Sequence, residues 1–366
     1  MKFIINREKI LLPLQQIVNV IEKRQTMAIM ANVFLQLNDH QLILTGSDLE
    51  IQVTVILPVD STGIASTTIP ASKFLDICRL LPSNADIKFQ IEETKVIISS
   101  GRSRFSLSTL SPETYPGFSE TEPEYQYSIS SKQLKEALSK TTFCMANQDF
   151  RYYLNGLLMN ISNSTLKLVA SDGHRMALFQ DEINEDTGIS NKIIIPRKGI
   201  QELYRILDLT ENDVTIHVSK NNIKVIADNV IFFAKLIDAK YPNFQQILQQ
   251  AFLDPIPVQK QNLKEALTRV VILSNEKSKG VTLDFDVEQI LLTAFNSEHE
   301  EAEEKVAIEF TGEPMTISFN GQYLIDALSN LDSDIVFLII SKDLSCCFVK
   351  ESTQAPYQYI VMPMTL

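Results

Sequence analysis

The sequence is short of the residues on which most small-molecule chemistry depends. Its 366 residues include four cysteines, Cys78, Cys144, Cys346 and Cys347. They show neither a disulfide framework nor a CxxC spacing, and the adjacent pair does not make an ordinary bridge. Reduced, buried thiols in a cytoplasmic protein are expected. The eleven glycines never come closer than nine positions apart. That excludes the GxGxxG dinucleotide loop and the GxxxxGK phosphate loop. The four histidines, His40, His174, His217 and His299, are scattered, with no HExxH pattern. No metal or cofactor is expected. The longest apolar run, from Ile335 to Ile340, has six residues, far from the ~18 that span a bilayer. Met1-Lys2-Phe3 leads straight into a strand-like segment without a cleavable signal pattern, so no membrane partner is expected.

What the chain does have is a threefold internal repeat. The segment LILTGSD at 42–48 recurs as LKLVASD at 166–172 and as ILLTAFN at 290–296, an offset of 124 both times. A second block follows each copy, beginning at Thr68, Ile194 and Ser318 and ending at Leu81, Leu207 and Leu331. A period this long is a domain rather than a solenoid unit. Three similar domains are expected, over 1–124, 125–253 and 254–366. The acidic, proline-containing stretch 119–124 and the stretch 252–257 are the natural linkers.

Each copy carries two amphipathic helices among alternating strand-like segments. In the first helix the apolar positions are Ile10, Leu14, Ile17 and Val18, then Leu134, Ala137, Leu138 and Thr141, then Leu263, Ala266, Leu267 and Val270. In the second they are Phe74, Ile77, Cys78 and Leu81, then Ile200, Leu203, Tyr204 and Leu207, then Leu324, Ala327, Leu328 and Leu331. Spacings of three and four put one face of each helix on a sheet. The expected class is α+β, with two helices per domain packed on antiparallel sheets. Net charge is −12, which by itself argues against nucleic acid. Yet five of the six helical segments are net positive and the six together carry +8, leaving −20 on the rest. With apolar faces turned to the sheets, the polar faces would form a mostly basic surface that suits a polyanion.

One segment, Asp172-Gly173-His174-Arg175, admits an enzymatic alternative in which Asp172 orients His174 as the base of a hydrolase. No serine or cysteine stands in a recognisable nucleophile elbow, and a hairpin turn explains the same residues. A protein-binding scaffold of three domains, without DNA, is a further alternative.

Several segments together resemble a known family. They are SGRSRFSLSTL at 100–110, RYYLNG at 151–156, SDGHR at 171–175, LSNEK at 273–277, EEAEE at 300–304 and VMPM at 361–364. As a set, and over the whole chain, they resemble the bacterial DNA polymerase III β subunit, the sliding clamp family. The resemblance implies a DNA clamp fold and a non-catalytic processivity factor. Two chains would join head to tail into a six-domain ring around duplex DNA, without sequence specificity. It implies as partners the polymerase III catalytic subunit, the clamp loader, and other polymerases and repair proteins bearing short linear motifs.

The resemblance also assigns residues. The partner-peptide cleft would use Leu154, Gly173, His174, Arg175, Met176, Pro242, Ile247, Tyr323, Leu344, Val361, Met362, Pro363 and Met364. The DNA-facing set would be Arg24, Arg79, Gln148, Tyr152, Tyr153, Arg197 and Lys198. The subunit interface would set Lys73, Arg102, Arg104, Phe105 and Leu107 against Ile272, Leu273, Glu298, Glu300, Glu301, Glu303 and Glu304. Gln246 and Thr365 stand where the family's pattern has arginines, and Ser278 where it has an aromatic.

Overall fold

The structure is a computed structural model and describes residues 1–22, 27–61, 63–118, 122–183, 188 and 190–365. Among them are seven α-helices: α1 Arg7–Val20, α2 Ala71–Leu80, α3 Ser131–Ser139, α4 Arg197–Leu207, α5 Gln245–Leu248, α6 Lys260–Val270 and α7 Gly321–Ser329. All but the four-residue α5 follow the two-per-repeat expectation. Their apolar stripes face the interior as the spacing predicts, with Val18, Ile77 and Tyr204 only half-buried. Ile10, Leu14 and Ile17 of α1, Phe74 and Cys78 of α2, and Leu263 and Leu267 of α6 are fully covered. Asn6 starts α1 by accepting a hydrogen bond from the Glu8 amide at 3.0 Å. Asn320 does the same for α7, from the amides of Gln322 and Tyr323. These side chains satisfy amides that the first turn of a helix leaves unpaired. Where α1 crosses the strand Gln41–Ser47, only glycine fits at position 46, because a Cβ there would lie 2.6 Å from Ile17 Cγ2.

Two compact units emerge, and they cut across the central repeat. One comprises residues 1–135 with 195–238, the other 136–194 with 239–366. The reason lies in the sheets, all of them antiparallel. In the first unit an eight-stranded sheet runs in the order Ala65–Pro70, Asn32–Asn38, Gln41–Ser47, Ile51–Pro58, Val230–Lys235, Asn222–Ala227, Val214–Val218 and Tyr125–Ile129. Its first four strands come from the first repeat and its last four from the second. The seam is the pairing of Ile51–Pro58 with Val230–Lys235, where Thr54 faces Ile231 and Val53 faces Phe232. The second unit repeats the design. Its order is Ser190–Pro196, Gly156–Ser162, Thr165–Ser171, Arg175–Glu182, Tyr357–Val361, Cys347–Lys350, Ile335–Ile340 and Ile256–Gln259. Its seam pairs Arg175–Glu182 with Tyr357–Val361, with Leu178 facing Gln358.

Each unit also holds a four-stranded sheet. The first has Lys2–Asn6, Asp86–Ile91, Lys95–Ser100 and Ser103–Ser108; the second has Glu301–Ala307, Gln289–Phe295, Gly280–Asp286 and Met315–Asn320. By position in the repeat, Ser103–Ser108 corresponds to Val230–Lys235 and Tyr357–Val361, and Glu301–Ala307 to Ile51–Pro58 and Arg175–Glu182. The latter four strands are paired in seams. Ser103–Ser108 and Glu301–Ala307 are edges.

Candidate functional site

The second seam opens into a cavity of about 330 Å³ in the second unit. Its walls include Leu154, Gly173, Arg175, Met176, Pro242, Ile247 and Met362, all expected at the cleft. Arg151, Tyr153, Ser171, Tyr241, Asn243, Phe244 and Ile360 complete the lining. Leu154 and Met176 are buried and Ile247 and Met362 half-buried, so the cavity offers an apolar floor at the surface.

The 172–174 turn is built for its place. Gly173 has φ +89°, a left-handed conformation that favours glycine, and a Cβ there would meet the Arg151 guanidinium at 2.6 Å. Asp172 Oδ1 accepts from the amides of His174 and Arg175, each at 3.0 Å, and its Oδ2 accepts from Arg175 Nε at 2.9 Å. The carboxylate is thus committed to the turn and to Arg175, which leaves the hydrolase alternative without support. Arg175 also donates to Asp326 of α7 at 2.5 Å and to the Phe143 carbonyl at 3.1 Å. Its guanidinium lies 4.4 Å from the centre of the Tyr323 ring. One half-buried arginine therefore fixes a strand, a turn and a helix around the cavity mouth.

Other expected cleft residues serve as frame. His174 is exposed, and its carbonyl accepts from the Met362 amide at 2.9 Å. Val361 is buried in the seam opposite Arg175. The Met364 amide donates to Ser318 at 2.8 Å, so 362–364 is tied down at both ends, with half-buried Pro363 between. Leu344 lines a different cavity, with Leu253, Phe310 and Met315, and is not at this one. Gln246 and Thr365 are exposed, Ser278 half-buried, and none of the three lines the cavity.

Arg151 holds a loop beside the cleft. It pairs with Asp149 through two bonds, Nε to Oδ1 at 3.0 Å and Nη2 to Oδ2 at 2.9 Å, and donates to the Asp172 carbonyl at 3.0 Å. Hydrogen bonds from the Arg151 side chain and then its amide hold the Asp149 carboxyl down at about 2. The loop presents Gln148 at φ +58° and exposes Tyr152. Tyr153, its neighbour in the 3-10 turn Tyr152–Asn155, is half-buried and also lines the cavity. Phe150, 91% exposed, went unassigned in the sequence.

Of the remaining DNA-facing candidates, Arg24 lies outside the described residues. Arg79 is exposed on α2, 3.9 Å from Asp76. Arg197 is the half-buried first residue of α4. Lys198 pairs with Glu22 at 2.7 Å and with the buried carboxylate of Asp48. Other cations on or just after the helices are also engaged: Lys135 with Asp208, Lys140 with Asp332, Arg205 with Glu202 and Arg269 with Glu304. The basic excess counted along the helices is thus partly neutralised by neighbouring carboxylates.

The interface candidates sit on the two edges and beside them. Arg102 and Arg104 are exposed, and Phe105 and Leu107 half-buried, on or next to Ser103–Ser108; Lys73 is exposed on α2. Ile272 is exposed and Leu273 half-buried after α6. Glu298, Glu300, Glu301 and Glu303 are exposed at or near Glu301–Ala307. Glu304 is held by Arg269 at 2.6 Å, which keeps its carboxyl below the usual range.

No helix among the described residues is long and apolar enough to cross a membrane. Two seams of half-sheets, with a cleft at the second, define a three-domain clamp. Comparison with known proteins agrees. Three family descriptions of the DNA polymerase III beta subunit match in order: the N-terminal domain over 1–119, the central domain over 128–243 and the C-terminal domain over 245–365. The beta sliding clamps of Haemophilus influenzae and Pseudomonas aeruginosa are 36% and 38% identical, over all of both chains. A crystal structure of the Pseudomonas aeruginosa clamp bound to griselimycin superposes with a TM-score of 0.96 at 38% identity, again over all of both chains. This chain belongs to the DNA polymerase III beta subunit family, the beta sliding clamps. It is a non-catalytic accessory subunit of the polymerase.

Proposed function

We propose that two copies of this chain close head to tail into a ring that encircles duplex DNA and tethers the replicative polymerase and other DNA-handling proteins to it. One observation carries the reading. Two seams within the chain join four strands to four, and the chain's only two half-sheets with a vacant seam position among the described residues end in Ser103–Ser108 and Glu301–Ala307. Pairing one with the other in a second copy completes the same eight-stranded sheet. A contact of this kind that closes after two copies leaves neither of these two edges unpaired.

The internal seams also supply the register. Across the first half-sheet, Ile4, Lys88, Ser99 and Arg104 lie opposite one another in turn. The corresponding row in the central repeat is Ser128, Thr215, Ile226 and Ile231, and Ile231 faces Thr54. Thr45 faces Thr54 as Thr293 faces Glu303. Arg104 therefore takes the place of Ile231, and Glu303 that of Thr54. In the dimer Arg104 faces Glu303, and Phe105 faces Ala302. Apolar contacts with Ile272 and Leu273 would supply affinity, and the opposed charges the register.

The cavity at the second seam fits an apolar peptide end. Short motifs with a glutamine and a terminal Leu-Phe pair would place the glutamine towards Met362 and Tyr323 and the pair in the pocket. Burial of each apolar side chain contributes roughly 1.5–3 kcal/mol. Arg24, Arg79, Gln148, Tyr152, Tyr153, Arg197 and Lys198 are assigned to DNA, held through phosphate contacts that carry no sequence information. Domain limits at 124 and 253 follow the repeated element order. The four cysteines are buried free thiols, in keeping with a cytoplasmic location. The test is retention on DNA by the loader-assembled protein: it should stay on closed circles and run off linearised ones. Equal retention on both would reject the ring.

A further inference from the structure

Residues 241–244, one wall of the peptide cleft, also wall a second and larger cavity of about 680 Å³. Its floor is the outer face of the sheet at Leu158, Asn160, Lys167, Lys192 and Ile194, and Lys240 stands at its rim. Asn160 faces Lys167 across the strand pair. Three lysines converge here in a chain of net charge −12, and no acidic residue lines the cavity among the described residues. Lys192 and Lys240 are exposed and Lys167 half-buried. Asn160 Oδ1 is buried without a hydrogen-bond partner among the described residues, and rotation of its amide would offer a donor instead.

We propose that this lysine-lined cavity binds an acidic stretch that follows the apolar end of a partner's linear motif. The inference rests on the cleft reading above. That reading puts the glutamine of a motif on the Met362 and Tyr323 side and its apolar pair in the pocket, whose lining includes residues 241–244. Chain continuing past the pair meets that wall, and about four extended residues, roughly 13 Å, carry it over. Three ammonium groups then meet carboxylates. Each contact is partly solvated, so the gain is modest and depends on salt. The cavity would sort partners that share the same apolar motif by the charge that follows it.

The test compares three peptides on the full-length protein by fluorescence anisotropy at low salt. One is the core motif, one adds four glycines and three aspartates, and one adds four glycines and three serines. The aspartate peptide should bind about three- to tenfold more tightly than the serine peptide, the range of two or three partly exposed charge contacts. Lys192→Ala with Lys240→Ala should remove that gain and leave the core motif's affinity unchanged. Lys192→Glu with Lys240→Glu should reverse the preference, so that a lysine extension binds best. Equal binding of the aspartate and serine peptides would overturn the inference, as would a gain that survives in the alanine variant. So would an alanine variant that weakens DNA binding while the aspartate peptide keeps its advantage. Failure of the core motif to bind the native protein would instead reject the cleft reading, and this inference with it.

Discussion

The seam between Ile51–Pro58 and Val230–Lys235 and the two open edges occupy equivalent positions of one repeat, yet they carry opposite chemistry. Inside the chain, Val53, Val55 and Phe232 are buried at the seam. At the open edges Arg104 and Glu303 stand exposed where Ile231 and Thr54 face each other inside. A join made once during folding can rely on apolar burial. A join that must open and close has to survive unpaired in water, and charge on an edge strand discourages wrong pairings. Opposite charges on the two edges also make each a poor partner for itself and a good one for the other.

Mutation should separate the two kinds of join, with the largest effect at the inner one. Phe232→Ala leaves a cavity in the seam and should lower stability by about 3–5 kcal/mol in urea unfolding. Phe105→Ala with Leu107→Ala should leave the fold intact yet give monomers by sedimentation at micromolar concentration. Similar unfolding penalties for both would erase the contrast. Arg104→Glu should weaken dimerisation about ten- to a hundredfold, and adding Glu303→Arg in the same chain should restore most of it. Additive losses would place the two residues apart.

Smaller effects distinguish charges that hold the fold from charges offered to partners. Lys198→Ala strands the carboxylate of Asp48, whose side chain is 3% exposed. It should cost about 1–2 kcal/mol of stability, between the values for buried and exposed pairs, beyond any loss of DNA binding. Arg79→Ala, on an exposed helix face, should weaken DNA binding without a stability change. The smallest effect concerns the loop beside the cleft. The Asp149 carboxyl is held at about 2, below its unfolded value of about 3.9, so the unfolded chain takes up the proton first. Its stabilisation is present above about pH 4 and is lost as pH falls towards about 2. The Arg151 amide, which donates to Asp149 at 2.8 Å, should report that titration by NMR. A midpoint near 4 would mean the pairing is absent in solution.

The repeat and the six helices were legible because their signals are local, with apolar spacings of three and four and blocks kept at a constant offset. The seams were not, since the pairing of Thr54 with Ile231 spans the chain and leaves no periodic mark. Long-range ion pairs hid in the same way. Lys198 reads as a basic surface residue until the fold brings Asp48 to it. At the cleft, the 171–175 turn and the 361–364 segment were readable as motifs. Tyr241 and Phe244 belong to no such motif, and their place in the wall depends on tertiary packing. Leu344 was placed at the cleft by resemblance, but its positive φ of 55° turns the local chain and it lines another cavity.

The claim that the open edges form a third seam in a fixed register is tested most directly by Arg104→Cys with Glu303→Cys in one chain. Directly opposed residues of an antiparallel pair have Cα atoms about 4.5–5.5 Å apart, within reach of a disulfide. Mild oxidation should give a covalent dimer with two bridges, which stays on circular DNA after denaturation and leaves linear DNA. Crosslinking that fails at this pair but succeeds two residues along, or higher open-ended oligomers in place of a closed dimer, would contradict the account.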